Sequence, residues 1–150
     1  MSSTSPSVTP YLTIKGADAA IAFYKEVFGA TEGLRLSMPD GGVGHAELTI
    51  GNGMIMLADE NLDWGNRSPV TLGGSPVTIA LSVEDVDAVV EKAVAKGSTL
   101  QMPVSNEFYG ERVGVITDPF GHAWHISTHI EDVSEEELHK RMAAMFENAE

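Results

Sequence analysis

Two histidines and a carboxylate stand where strand alternation can aim them one way. In His45-Ala46-Glu47 the imidazole and the carboxylate are two residues apart, and in a strand that spacing puts both on one face. His125, in His122-Ala123-Trp124-His125, takes the same kind of position in a later strand, and parity directs all three side chains to one cleft. Nitrogen and oxygen donors of this kind suit Zn, Ni, Mn or Fe, so His45, Glu47 and His125 form a candidate metal set. Beside such a metal Glu47 is also the candidate base that moves a proton, with His45 and His125 as ligands; without a metal the histidines are ligand contacts and no chemistry is expected. A solvated polar strand face is the plain alternative for His45 and Glu47.

A second group lies in Phe108-Tyr109-Gly110-Glu111-Arg112, two aromatics and a flexible glycine ahead of a charge pair, which suits a loop over a cleft mouth. Tyr109 and Arg112 are candidate ligand contacts there. Arg112 can clamp a carboxylate or phosphonate, or it can pair with Glu111 or another acid. Trp64 and Arg67 are further lid candidates, while Met38, Met54 and Met56 suit an adaptable apolar wall or ordinary core. Asp118-Pro119-Phe120-Gly121-His122 has turn chemistry, so His122 reads as structural. His129 and His139 show no partner pattern and read as surface residues.

Val8 to Ile14 is β-prone, and Ala17 to Phe28 has apolar residues at helical spacing, with Asp18 as its expected cap and Gly29 as its stop. Leu34 to Met38, His45 to Ile50 and Met54 to Leu57 follow as a meander, with the last hairpin expected around Asn52-Gly53. The order then restarts with a strand over Val77 to Val83 and a helix over Val86 to Ala95. Gly29 to Gly97 and Gly53 to Gly121 are both 68 residues apart, which implies an internal duplication. Glu60 to Gly74 reads as a linker inside one domain. Ser134-Glu135-Glu136-Glu137 reads as a capping box that opens a tail helix over about 135–148. The expected fold is α+β, a single domain over 1–150 with one βαβββ module at about 8–58, another at about 76–127, and a C-terminal helix.

Alternation also sorts the strand faces. Ala46, Leu48, Ile50, Trp124 and Ile126 should lie under the helices, with His45, Glu47, Thr49, Ala123, His125 and Ser127 facing the cleft. In the fifth strand Thr78, Ala80 and Ser82 take the cleft side.

The chain has 150 residues, 43% of them hydrophobic, enough for one packed core. Nine basic against 22 acidic side chains give a net charge of −13, which repels phosphate backbones and anionic bilayers, so nucleic acid and membrane are not expected partners. Zero cysteines exclude disulfides and thiolate ligands. Met1 to Ser7 has neither a basic nor an apolar leader segment, and a cytoplasmic location is expected.

The segments PYLTIKGADAAIAFYKEVFGA (10–30), GHAELTIGNGMIMLADE (44–60), SPVTIALSVEDVDAVVEKAVAKG (75–97) and FYGERVGVITDPFGHAWHISTHIEDVSEEE (108–137) resemble the PhnB-like branch of the vicinal oxygen chelate (glyoxalase/bleomycin-resistance/dioxygenase) superfamily. The resemblance implies two βαβββ modules pairing curved sheets around a central cleft that binds a small molecule and often a divalent metal. Metal ligands in such proteins come from the first and last strands of each module. Those positions fall here at Thr9 or Tyr11, Leu57, Thr78 and His125, of which only His125 is a competent donor, and Tyr11 and Thr78 remain ligand contacts. Two readings stay open: a metal-assisted lyase or isomerase, and a metal-free protein that sequesters a small molecule. The resemblance also implies a homodimer.

Overall fold

The computed structural model describes residues 5–147, so Met1 to Thr4 and the expected last turn of the tail helix at Asn148 lie outside it. It resolves into two compact units that meet in sequence at Ser75 and Pro76. Each holds one four-stranded sheet, and the chain is α+β.

In the first half, β1 (Tyr11–Ile14), α1 (Ala17–Phe28), β2 (Thr31–Ser37), β3 (Val43–Ile50) and β4 (Gly53–Asp59) form a sheet of order β1-β4-β3-β2, with β1 parallel to β4. The second half repeats the plan. Its elements are β5 (Thr78–Ser82), α3 (Val86–Ala95), β6 (Thr99–Asn106), β7 (Glu111–Thr117) and β8 (Ala123–His129), in the order β5-β8-β7-β6. Between them a 3-10 turn at Leu62–Trp64 and the single-turn helix α2 (Pro69–Leu72) occupy the linker. Helix α4 (Glu135–Glu147) follows, and Ser134 Oγ accepts the Glu137 N–H at its start, one half of the expected capping box, while the Glu137 carboxylate accepts from Arg141 at 3.1 Å. Among the described residues no helix is long and apolar enough to cross a membrane.

Helices α1 and α3 each cover one face of their own sheet because the apolar stripe of each has nowhere else to go. Ala17, Ala20, Ile21, Tyr24 and Val27 of α1 are buried with Ala46, Leu48 and Leu57, and Val86, Val90 and Ala93 of α3 with Ile116, Trp124 and Ile126. The alternation read from sequence therefore holds for Ala46, Leu48, Trp124 and Ile126, with His45, Glu47 and His125 half-buried at the alternate positions, whereas Ile50 is only half-buried and Ser127, expected on the cleft face, is buried.

Several local expectations are corrected. Helix α1 is not capped by Asp18, which already sits inside the first turn and pairs with Arg35 at 2.7 Å. Gly16 precedes the helix with no side-chain bond of its own, and Asp59 at the end of β4 accepts the Gly16 and Ala17 N–H groups at 3.2 and 2.8 Å. Thr128, near the end of β8, accepts the Val86 N–H at 2.8 Å and so does the same for α3. The tight hairpin turns at Gly51-Asn52, where Gly51 takes the left-handed φ of 58° that favours glycine, and Gly53 opens β4. Strand β6 carries Pro103, and its pairing shifts register between Met102 and Ser105, which an edge strand tolerates.

Candidate functional site

In the first half a hydrogen-bonded chain crosses the open face of the sheet. The Tyr11 hydroxyl on β1 lies 2.7 Å from His45 Nδ1 on β3, and His45 Nε2 lies 3.0 Å from Glu47 Oε2. With a neutral imidazole and an ionised carboxylate only one proton arrangement satisfies both bonds: the phenol donates to Nδ1, and Nε2–H donates to Glu47. The elements explain the meeting. Tyr11 pairs with Met56 and Met56 with Glu47, so Tyr11 and Glu47 share a row across β1, β4 and β3, and His45 is one alternation step along β3.

Tyr11 also faces a cavity of about 690 Å³, formed by the end of β1, the turn before β3 and the linker after β4. Its wall includes Thr13, Lys15, Met38, Asn61, Trp64 and Asn66, whereas His45 and Glu47 stand behind Tyr11 and outside it. Three carboxylates border the cavity, and each is committed to local donors. Asp59 Oδ2 takes the Val43 N–H at 2.7 Å, Asp40 the Gly42 N–H at 2.8 Å, and Glu60 the Ser68 N–H at 2.9 Å with the Thr71 hydroxyl at 2.6 Å. The bond from the Ser68 N–H holds the Glu60 carboxyl below its ordinary pKa, with the Thr71 hydroxyl adding to it. Lys15 makes no hydrogen bond or ion pair among the described residues. Asn61 accepts the Asp63 and Trp64 N–H groups, which fixes the turn that presents the exposed Trp64.

The second half has the same frame and different contents. His125 pairs with Ala80 on one side and Val115 on the other, the row that corresponds to Tyr11, Met56 and Glu47. Two position assignments made on the 68-residue spacing are thereby corrected. The counterpart of His125 is Met56, 69 residues earlier, because the β7–β8 turn is one residue longer relative to its strands; Leu57 is fully buried under the helix. Ala80, not Thr78, lies beside His125, and Thr78 pairs with Ala123. The Nδ1 atom of His125 is buried and has no hydrogen-bond partner among the described residues.

Arg112 binds Asp87, not Glu111, through a two-pronged contact of 2.8 and 2.9 Å, and gives a third bond to Asn106 at 2.9 Å. Its guanidinium pKa is raised by the Asp87 carboxylate, which is lowered in turn. Tyr109 packs edge-on against Phe108, and burial, with Glu107 and Glu111 adding, raises its phenol. His122 belongs to the turn: Asp118 accepts the Phe120 and His122 N–H groups and the Trp124 indole N–H at 2.9 to 3.0 Å. His129 was expected to lack partners, yet its two ring nitrogens contact Glu111 at 2.8 Å and Asp132 at 2.6 Å. Asp132 is a local partner three residues on, but no spacing rule connects Glu111 with His129, because the β7–β8 register is what brings them opposite each other.

The metal implied by the family resemblance does not fit the donors present. The corresponding strand positions hold Tyr11, Met56, Ala80 and His125, and both ring nitrogens of His45 are occupied by hydrogen bonds. A metal in a catalytic pocket ordinarily takes three protein donors. Among the described residues no group of three His, Asp or Glu side chains is arranged to hold one.

Similarity to known proteins agrees with the architecture. The chain is 38% identical over 142 residues to Mb0911c of Mycobacterium bovis, covering 93% of each. The crystal structure of PA1353 from Pseudomonas aeruginosa matches with a TM-score of 0.71 at 24% identity, over 85% of this chain and all of that one. A PhnB protein from Bacillus cereus matches at 0.65 and 20% identity, over 82% of this chain and 99% of its own. Residues 7–126 match the model of the Glyoxalase/Bleomycin resistance protein/Dioxygenase superfamily, and the chain belongs to that superfamily.

Proposed function

We propose that this protein binds a small organic molecule in the cavity of its first half and does so without a resident metal ion. The cavity carries the reading. Its volume of about 690 Å³ lies inside the range of small-molecule sites. Its wall mixes apolar surface from Trp64 and Met38 with a few polar groups that can orient a ligand, Tyr11, Lys15 and Asn66. The alternative of a lyase or isomerase using Zn, Ni, Mn or Fe on His45, Glu47 and His125 has less support, since His45 would have to give up a hydrogen bond to coordinate.

Titration of isotopically labelled protein with a library of small organic molecules, read by amide and indole NMR shifts, tests the proposal. Hits should move Thr13, Lys15, Asn61 and the Trp64 indole together. Hits that all map elsewhere, or none at millimolar concentration, would overturn it.

We also propose a homodimer, supported by the exposed Leu34 and Leu36 on β2 and Leu100 and Met102 on β6, both edge strands. Light scattering should give about twice 16.0 kDa, and a mass of one chain at micromolar concentration would contradict it.

A further inference from the structure

We propose that Tyr11, His45 and Glu47 form a proton relay, and that the cavity takes a ligand with a weakly acidic hydroxyl, an enol or an activated phenol, and holds it as its anion. The inference rests on the first-half cavity being the binding site and specifies what that site does. Of the three residues only Tyr11 reaches the cavity, so the phenol and not the carboxylate meets the ligand. Behind it the donors and acceptors are ordered over two contacts, 2.7 and 3.0 Å.

The step balances within these groups. The ligand O–H bond breaks and its proton passes to Tyr11 Oη, while the Tyr11 proton passes to His45 Nδ1. The ligand gains one negative charge and the imidazole one positive charge. The imidazolium then lies between the Tyr11 oxygen and the Glu47 carboxylate, which stabilises it. The restored Tyr11 O–H donates to the ligand oxygen, and Lys15 on the same wall supplies the countercharge.

Acidity selects the ligand class. The proton must end on an imidazole, which can draw it from an enol or an activated phenol, acids as strong as an ordinary phenol or stronger. An alkyl alcohol is too weak an acid. A carboxylic acid is already ionised at neutral pH and leaves the relay nothing to do. Tyr11 is the catalytic residue of this step, and Glu47, acting through His45, is a positioning residue.

The probe is 4-nitrophenol, whose anion alone is yellow, added to the full-length protein with a chelator present at a pH where the free probe is mostly protonated. Phenolate absorption should rise saturably with protein. Tyr11→Phe and His45→Gln should abolish it, and Glu47→Gln should weaken it about tenfold, the effect of losing one charge-assisted hydrogen bond of about 1.5 kcal/mol. Far-UV circular dichroism of each variant should match the parent. Colourless binding seen by calorimetry would overturn the relay and leave the binding reading intact. No binding of the probe, phenolate absorption undiminished in Tyr11→Phe, or absorption that appears only after Zn²⁺ is added would each overturn the relay as well. Failure of the binding reading shows separately, in the NMR map of the cavity.

Discussion

The two halves share a frame and divide the chemistry. Each carries, at or near the end of its last strand, a side chain that accepts an N–H from the first turn of the helix of its own module, Asp59 for α1 and Thr128, beside the cap Asp85, for α3, and each sets a parallel first strand beside that last strand. On the open face they part. Where the first sheet has Tyr11, Met56 and Glu47 in a row, the second has Ala80, His125 and Val115. Backbone pairing and helix burial constrain one face of each sheet, and the other face is free to diverge, so a duplicated fold need not duplicate a site.

The connections differ as sharply as the faces. The first half joins β3 to β4 by the tight turn at Gly51-Asn52, whereas the second needs Asp118 to organise the turn between β7 and β8. Asp118→Ala should therefore have the largest effect on stability. It leaves two backbone N–H groups and the buried Trp124 indole without their acceptor, at a cost of about 3 kcal/mol in urea denaturation. A loss below about 1 kcal/mol would show that the turn holds itself.

The capping pair gives a direct contrast. Asp59→Ala removes an acceptor shared by Gly16, Ala17 and Val43 and should cost about 2 kcal/mol, while Thr128→Ala, which frees the Val86 N–H, should cost about 1 kcal/mol. Equal losses would mean that the two caps are equivalent and the extra bonds of Asp59 contribute nothing measurable.

Grafting the second half's pattern on the first, with Tyr11→Ala and Glu47→Val together, should leave thermal unfolding within about 1 kcal/mol of the parent, as expected for residues on an open face. Loss of folding would assign the row to structure. The smallest effect belongs to His129, whose pKa is raised by Asp132 and Glu111. The native state holds that proton more tightly than the unfolded chain. Its contribution is therefore complete below the ordinary histidine value of about 6.5 and is lost as pH rises through the higher folded value. The stability difference between the parent and His129→Gln should shrink over that rise, and a difference that grows with pH would reverse the assignment.

Much of the frame was legible in the residues. Apolar periodicity gives α1 and α3 with their observed ends, because each must bury one stripe, and alternation places His45, Glu47 and His125 on open faces. The chain partners were not legible. A count of 68 residues between glycines cannot see the one-residue difference in the second turn, so it names Leu57 where the sheet puts Met56. Asp59 reads as the last residue of a strand, and its three N–H partners belong to segments 16 to 43 residues away. The bond from Tyr11 to His45 is invisible for the same reason, since its 34-residue separation is closed only by β4 lying between their strands.

Metal content tests the central claim, that the chemistry of this fold member resides in the first half without a metal. After exhaustive dialysis, elemental analysis should find divalent metal far below one ion per chain, unchanged in His45→Ala and His125→Ala. Near-stoichiometric metal in the parent that disappears in both variants would contradict the account and move the function to a metal-dependent enzyme.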